Sequence, residues 1–301
     1  MSAATPAGRP LLVVGGCGGL VGRAVLEEFA PDRRIVSVHR HRAANEAAAN
    51  VEWVPADAVS IADWTPLLRG VDEVLLLAWH RAGGRRRFVP LARSLVRLVH
   101  DAEKAGLRRL VHVSVPAAPE RLERSLPYLY AKRAVDRALE ESALEHSIVR
   151  PTMLFGPRDK LLTVMLGTMH RYRRFPMFGD GNYHISPIAA RDLALVLRRE
   201  LGQSGRRTVE VGGPRRWRYR ELTDRLFAFL GLEPRYFSLG PRMSVAFARL
   251  VESVGSTKLY AYEVEWLLSD MLGLPPYPEL GRPFRSLETF VEAEVARLHG
   301  Y

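Results

Sequence analysis

Two spacings in this chain carry chemistry. Tyr128 and Lys132 stand four residues apart in SLPYLYAKRAVDRAL, and Gly16, Gly19 and Gly22 fall three apart in LLVVGGCGGLVGRAVLEEF. On a helix, residues i and i+4 share one face, and Pro127 is suited to open that helix. A lysine ammonium beside a phenol favours the phenolate and brings its proton into the working range of acid–base catalysis. Such a phenol can give or take a carbinol proton while hydride moves at a nicotinamide ring, and the lysine can hold ribose hydroxyls as well. Tyr130, two residues from Lys132, faces elsewhere. The alternative for the pair is a solvated helix face. The glycines supply the other half of that chemistry. Closely spaced glycines between a strand and a helix permit a tight turn and let the backbone approach a pyrophosphate, with the helix N-terminus offering N–H groups to the anion. The alternative is a glycine-rich turn that binds nothing.

The elements around these residues have the required order. Leu11–Val14 read as a buried strand, and Leu20, Val21, Ala24, Val25 and Phe29 as the apolar side of the helix after it. Strands are expected at 11–15, 34–39, 51–54, 73–78, 109–114 and 146–150. Helices are expected at about 20–30, 63–69, 86–105 and 129–143. Alternating apolar strands and amphipathic helices predict a doubly wound parallel sheet, an α/β Rossmann fold. After Pro151 the rhythm breaks. Residues 155–186 are rich in Gly and Pro around a helix at 160–172; a helix at 188–201 and a strand at 208–211 return to the sheet. Helices follow at about 219–230, 242–254, 259–272 and 287–299. The expected division is a dinucleotide-binding domain at 1–155 with a return segment at 186–212. Residues 156–185 and 213–301 then form a smaller, mostly helical substrate-binding part at the carboxyl edge of the sheet, where ligands bind in open α/β folds.

The second strand bears on the cofactor. It runs into His39-Arg40-His41-Arg42, with no acid where an NAD site usually places one for the ribose hydroxyls. Arginine there suits a 2′-phosphate, so Arg40 favours NADP, with NAD held by backbone alone as the alternative. A His-x-His metal site is disfavoured by the surrounding cations, and no metal is expected. Asp57, after the third strand, is placed to accept from an adenine amino group or to serve as a plain turn aspartate.

Composition narrows the class. With 47% hydrophobic residues in 301, the chain can bury a sizeable core. No run of about 18 apolar residues predicts a membrane span, and MSAATPAGRP lacks an apolar signal region. The single cysteine, Cys17, excludes an internal disulfide, and a cytoplasmic location fits. The net charge of +11 comes almost wholly from arginine, with only four lysines. The arginines are spread without an aromatic-interleaved stripe, so an anionic cofactor explains the charge better than nucleic acid does. Arg85–Arg87 read as a solvated helix start.

Taken in order, these segments resemble the short-chain dehydrogenase/reductase superfamily in its extended or atypical, NAD-dependent epimerase/dehydratase-like branch, near the group of complex I accessory-subunit-like proteins. GGCGGLVG (15–22) is similar to that family's TGGxGFIG. VDEVLLLA (71–78) and RLVHVS (109–114) are similar to its fourth and fifth strands, and YLYAK (128–132) to YxxxK. IVRPTMLFGP (148–157), FGDGNYHISPIAARDLA (178–194) and TVEVGGPRRWRYREL (208–222) are similar to later segments. The resemblance implies that Gly16, Gly19 and Gly22 with the backbone of Leu20 and Val21 hold the pyrophosphate. It further implies that Ala78 lines the cofactor, Tyr128 is the acid/base, and Lys132 orients ribose and tunes Tyr128. Two positions depart. Gly15 stands where Thr is usual. The hydroxyl donor beyond the fifth strand is replaced near Pro116, leaving Ser114 at the strand end as the nearest serine; Thr152, Trp79 and His80 are the candidates to take over its role. The implied function is an NAD(P)-dependent oxidoreductase or epimerase acting on a small carbonyl or hydroxyl compound. The competing function is a non-catalytic NAD(P)-binding sensor or assembly subunit. Trp79, His80, Phe155, Arg158, Met177, Tyr183 and His184 are candidates to line the substrate site. The partner expected is a small-molecule substrate, and the sequence permits a homodimer.

Overall fold

A computed structural model describes residues 8–40, 50–80, 84–157, 159–253, 260–278 and 280–299. His41, Arg42 and Arg158 of the reading above lie outside them. The chain forms two compact units, one of residues 1–115, 123–150 and 193–209, the other of 116–122, 151–192 and 210–301.

The first unit opens with β1 (Leu11–Val14), α1 (Leu20–Phe29), β2 (Ile35–His39), β3 (Val51–Pro55), α2 (Thr65–Leu68) and β4 (Glu73–Leu76). It continues with α3 (Gly84–Lys104), β5 (Arg109–Val113), α4 (Glu120–Ser125), α5 (Pro127–Glu141) and β6 (His146–Pro151). The elements that follow are β7 (Leu154–Phe155), α6 (Lys160–Tyr172), β8 (Phe175–Phe178), β9 (His184–Ile185), β10 (Ile188–Ala189), α7 (Ala190–Leu201), β11 (Arg206–Val211) and β12 (Trp217–Arg218). The chain closes with α8 (Tyr219–Phe229), β13 (Tyr236–Leu239), α9 (Pro241–Ser253), α10 (Ala261–Leu267) and α11 (Leu287–His299).

Seven strands make one sheet in the order β11-β6-β5-β4-β1-β2-β3. The ladders from β3 through β6 are all parallel, with Leu11 opposite Ile35 on one side and Glu73 on the other. This is the Rossmann-like α/β fold expected from the sequence. Leu11–Val14 are fully buried because helices cover both faces of a parallel sheet. Each such side chain contributes roughly 1.5–3 kcal/mol relative to exposure. On one face α3 presents Leu91, Leu95, Leu98 and Ala102 to the core that α5 completes with Ala131, Val135 and Leu139. The order reverses between β1 and β4, so the loops after these two strands diverge at their carboxyl ends.

Charged side chains are tied down at the starts of β4 and β5. Arg109 is fully buried, donates to the Glu200 carbonyl at 2.6 Å and shares Ser147 with the Glu200 carboxylate. Arg33 and Arg108 both donate to Glu73, which is 4% exposed.

The second unit is built on short ladders and helix packing. β8 pairs with β13 in parallel and β9 with β12 antiparallel. Asp159 caps α6 by accepting from the N–H groups of Leu161 and Leu162 at 3.0 and 2.9 Å. β13 and the other short strands escaped the sequence reading, because two to four residues are too few to show a period. α10 stops at Leu267, short of the expected 272.

The turn after β1 is the tightest place in the first unit. Gly15 and Gly16 take φ of +74° and +77°, which glycine adopts without strain. A Cβ on Gly22 would meet the Gly16 carbonyl oxygen at 2.1 Å, whereas one on Gly18 would meet nothing within 4 Å. Gly22→Ala is therefore expected to lower unfolding stability by about 1–3 kcal/mol, the usual cost of overpacking, while Gly18→Ala is nearly neutral. Urea denaturation of both variants checks this; equal midpoints would show that the turn relaxes freely.

Candidate functional site

The glycine turn is held by its neighbours. The Gly15 N–H donates to the Val38 carbonyl at 2.8 Å, and the Leu77 N–H donates to Val14 at 2.9 Å. A Cβ on Gly15 would stand 2.5 Å from Ala78, so this turn runs flush against the end of β4. That accounts for glycine at position 15: the left-handed backbone and the contact with Ala78 both exclude a side chain. Cys17 is buried beneath the turn, its thiol accepting from the Ser37 hydroxyl at 3.0 Å. Gly19 is the N-cap of α1. The N–H groups of Leu20, Val21 and Gly22 that follow lie in the first turn, which leaves them without intrahelical acceptors and available to an anion.

A cavity of about 190 Å³ opens from this turn, bounded by Gly15, Gly16, Arg40, Asp57, Ala78 and Trp79. It is smaller than the roughly 300 Å³ and upward of a typical whole-ligand pocket. Arg40 and Asp57 meet in it, with Nε and Oδ2 3.8 Å apart and both side chains partly in solvent. The other Asp57 oxygen accepts from the Val59 N–H at 3.1 Å, so this carboxylate also serves its own turn. His80 borders the cavity too. Burial, with Arg40 and Arg87 nearby, presses its imidazole toward the neutral form despite Asp57. His39 is set by Trp53, whose ring lies 6.3 Å away and whose indole N–H donates to the His39 carbonyl.

Tyr128 and Lys132 occupy the start of α5, with Pro127 in its first turn. They meet through a third residue, Trp79. The Tyr128 ring stands edge-on to Trp79 at 5.6 Å and to Phe88 at 5.6 Å. The Lys132 ammonium lies 4.2 Å from the centre of the Trp79 ring and donates to the Val113 carbonyl at 2.7 Å. Trp79 thus borders the cavity and touches both members of the pair. Tyr130 is 44% exposed and stands under Arg85, as its offset from Lys132 predicts.

Beneath Lys132 lies a buried polar cluster that the sequence reading missed. Asp136 is 1% exposed and is approached by Arg133, by Arg150 at 3.1 Å and by His112 at 3.5 Å. Ser114, at the end of β5 and 3% exposed, lies near Asp136. Burial raises the Asp136 carboxyl, but His112, Arg133, Ser114 and Arg150 outweigh it, and the group sits below its usual range. His112 is pushed down to about 3, chiefly by burial and then by Lys132, and is neutral at pH 7. Lys132 is pushed down to about 7 by burial, against Asp136. The available signal was Lys132 and Asp136 at i and i+4, on the face that also holds Tyr128.

Among the candidate substrate-lining residues, Phe155, Met177 and Tyr183 are packed in the core of the second unit. His184 pairs with Asp270 at 3.2 Å. The Thr152 hydroxyl donates to the Leu272 carbonyl at 2.7 Å within that unit. Among the described residues no group of His, Cys, Asp and Glu is placed to hold a metal ion, and no helix is long and apolar enough to cross a membrane.

The sequence profile of the NAD(P)H-binding family matches residues 16–169. The chain belongs to that family. A similar protein is the mitochondrial NADH dehydrogenase [ubiquinone] 1 alpha subcomplex subunit 9 of Arabidopsis thaliana, 28% identical over 144 residues. That match takes in 46% of this chain and 34% of the relative, so the chain spans about a third of that protein's length. Among solved structures, a nucleoside-diphosphate-sugar epimerase of Staphylococcus aureus superposes with a TM-score of 0.74 at 15% identity, covering 94% of this chain and 99% of that one. The NADPH-dependent quinone oxidoreductase QOR2 of Escherichia coli, in complex with NADPH, gives 0.72 at 20% identity, covering 96% and 99%. The chain is thus a member of the NAD(P)H-binding family with a Rossmann-like α/β fold.

The buried lysine makes a measurable prediction. A group with its value near 7 is cationic below that pH and neutral above it. With 13C at lysine Cε, one of the four lysine resonances should titrate with a midpoint near pH 7 and be missing from Lys132→Met. Four resonances all titrating near the ordinary value of roughly 10 would mean that the fold does not desolvate this ammonium.

Proposed function

We propose that the protein is an NAD(P)-dependent oxidoreductase or epimerase of the short-chain dehydrogenase type, acting on a small carbonyl or hydroxyl compound. The supporting observation is the gathering of Tyr128 and Lys132 around Trp79, next to a glycine turn that a Cβ would fill. The dinucleotide, when bound, supplies or accepts hydride. The protein's own residues do the rest. The first-turn N–H groups of α1 hold the pyrophosphate. Arg40 offers its donor fork to a 2′-phosphate, and Asp57, 3.8 Å away, orients that fork. Tyr128 donates the proton to the nascent alkoxide or takes it back. Lys132, anchored on the Val113 carbonyl, favours the phenolate when cationic and turns toward ribose hydroxyls. Ser114, near Asp136, supports Lys132 through the buried cluster. The single buried cysteine and the arginine-rich charge fit work in the cytoplasm with a small-molecule substrate.

A second reading has a specific observation behind it. The Trp79 ring and the Val113 carbonyl already engage Lys132, and the Arabidopsis relative is named as a subunit of a larger assembly. Under this reading the chain binds NAD(P) without turning it over.

Fluorescence titration should show NADPH binding more tightly than NADH, with Arg40→Ala narrowing the gap; equal affinities in the parent protein would remove the assignment of Arg40. Following NADPH absorbance across aldehydes, ketones and quinones should reveal a turning-over substrate. With it, Tyr128→Phe is expected to lose about 100-fold in turnover or more, the scale of general acid–base help, at nearly unchanged NADPH affinity. Lys132→Ala should weaken both. Full turnover in Tyr128→Phe would overturn the acid–base assignment, and tight NADPH binding with no turnover across the panel would establish the second reading.

A further inference from the structure

The second unit holds a cavity of about 610 Å³ within its own walls, which neither the glycine turn nor the Tyr128–Lys132 pair touches. Its lining is almost wholly apolar: Leu161 and Met165 from α6, Phe247 from α9, Trp266 and Leu267 from α10, and Leu272 beyond it. The volume equals that of roughly 20 waters at ~30 Å³ each, and every ordered water needs two to four polar partners. Two of the polar side chains at its wall are engaged by the protein itself. Thr152 donates to Leu272, and Glu263 accepts from the Tyr260 N–H at 3.2 Å in a capping box. A space of this size and polarity is suited to hydrocarbon.

The rim has the opposite character. Tyr172 and Arg174 border the cavity, and both are exposed. They belong to the run Arg171-Tyr172-Arg173-Arg174, which closes α6. Arg171 lies 5.7 Å over the Tyr172 ring, and Arg173 turns the chain with φ of +55°. Among the described residues none of these three arginines forms an ion pair. Beside the rim, α9 sends Phe247 and Val251 into the cavity and leaves Met243 and Leu250 60% and 62% exposed. Tyr172, Met243 and Leu250 are three of the four large apolar side chains exposed among the described residues. Arg242 and Arg249 flank the two on α9, and an outward apolar pair with flanking arginines is the pattern of a helix that meets an amphiphile surface.

We propose that this cavity binds the hydrocarbon chain of a single-chain anionic amphiphile, with the head group held by the Arg171–Arg174 segment. The proposal does not rest on the dinucleotide site or on any turnover. The chain gains by leaving water for an apolar space, and each buried methylene adds to the affinity. The anion gains from guanidinium donors that no carboxylate of the described residues occupies.

The test is displacement of 11-(dansylamino)undecanoic acid from the full-length protein. Palmitate should displace it, and dodecyltrimethylammonium, with the opposite head group, should compete at least tenfold less well. Arg174→Glu, a surface change that the fold tolerates, should weaken palmitate about tenfold or more, the loss of a charge-assisted contact, and leave 1-dodecanol unchanged. Met165→Trp, which fills the cavity, should abolish binding of both, with circular dichroism and NADPH binding confirming a folded protein. Sedimentation with phosphatidylglycerol vesicles separates the sources. Co-sedimentation that the Met243→Glu/Leu250→Glu variant loses assigns the amphiphile to a bilayer, and palmitate binding without co-sedimentation assigns it to solution. Failure of palmitate to displace the probe, or palmitate binding unchanged in Arg174→Glu, would overturn the proposal.

Discussion

The first unit depends on one close approach of backbone to backbone. The chain leaves β1, doubles back through two left-handed glycines, and enters α1 so tightly that Gly22 lies against the Gly16 carbonyl and Gly15 against Ala78. Three elements, β1, β4 and α1, are fixed relative to one another by the absence of three side chains. The same absence exposes the first N–H groups of α1 in front of the turn, and the helix dipole adds a partial positive charge there. Packing and anion binding are thus one feature. Side chains elsewhere can be exchanged for others of similar volume, but here there is no volume to exchange.

A second constraint is the burial of charge beneath α5. Lys132, Asp136 and Arg133 are all under a tenth exposed, and each alone would be costly. Together they share partners: Lys132 has the Val113 carbonyl and the Trp79 face, and Asp136 has Arg133, Arg150 and His112. A neutral His112 lets the cluster stay balanced without an extra cation. The result is a lysine poised between its charged and neutral forms at ordinary pH.

The two units solve burial differently. The first packs long parallel strands between helices and closes its interior. The second has short strands of two to four residues, and some of its apolar side chains line a space as others fill its core. Its glycines still mark close approaches, as at Gly213, where a Cβ would meet the Pro187 carbonyl at 1.7 Å.

The doubly wound sheet was legible in the sequence because its strands are buried on both faces and read as unbroken apolar runs, such as Leu11–Val14. The helices at 160–172 and 287–299 were equally plain from their period, and both have the predicted bounds. The glycine turn could be read because backbone strain and close approach restrict it to one residue type. The spacing of Tyr128 and Lys132 could be read because helix geometry alone puts i and i+4 on one face. The sequence could not show that Trp79 comes to stand beside both, or that Asp136, His112 and Arg150 converge beneath Lys132. Those contacts join β4, β5, β6 and α5 across tens of residues, and only strand order decides which of them are neighbours. Nor could it show the cavity of the second unit, since a void is a property of how helices pack and leaves no mark on composition. Local rules, the glycine turn and the helical period, were written in the residues; desolvation and empty space arose only when distant segments met.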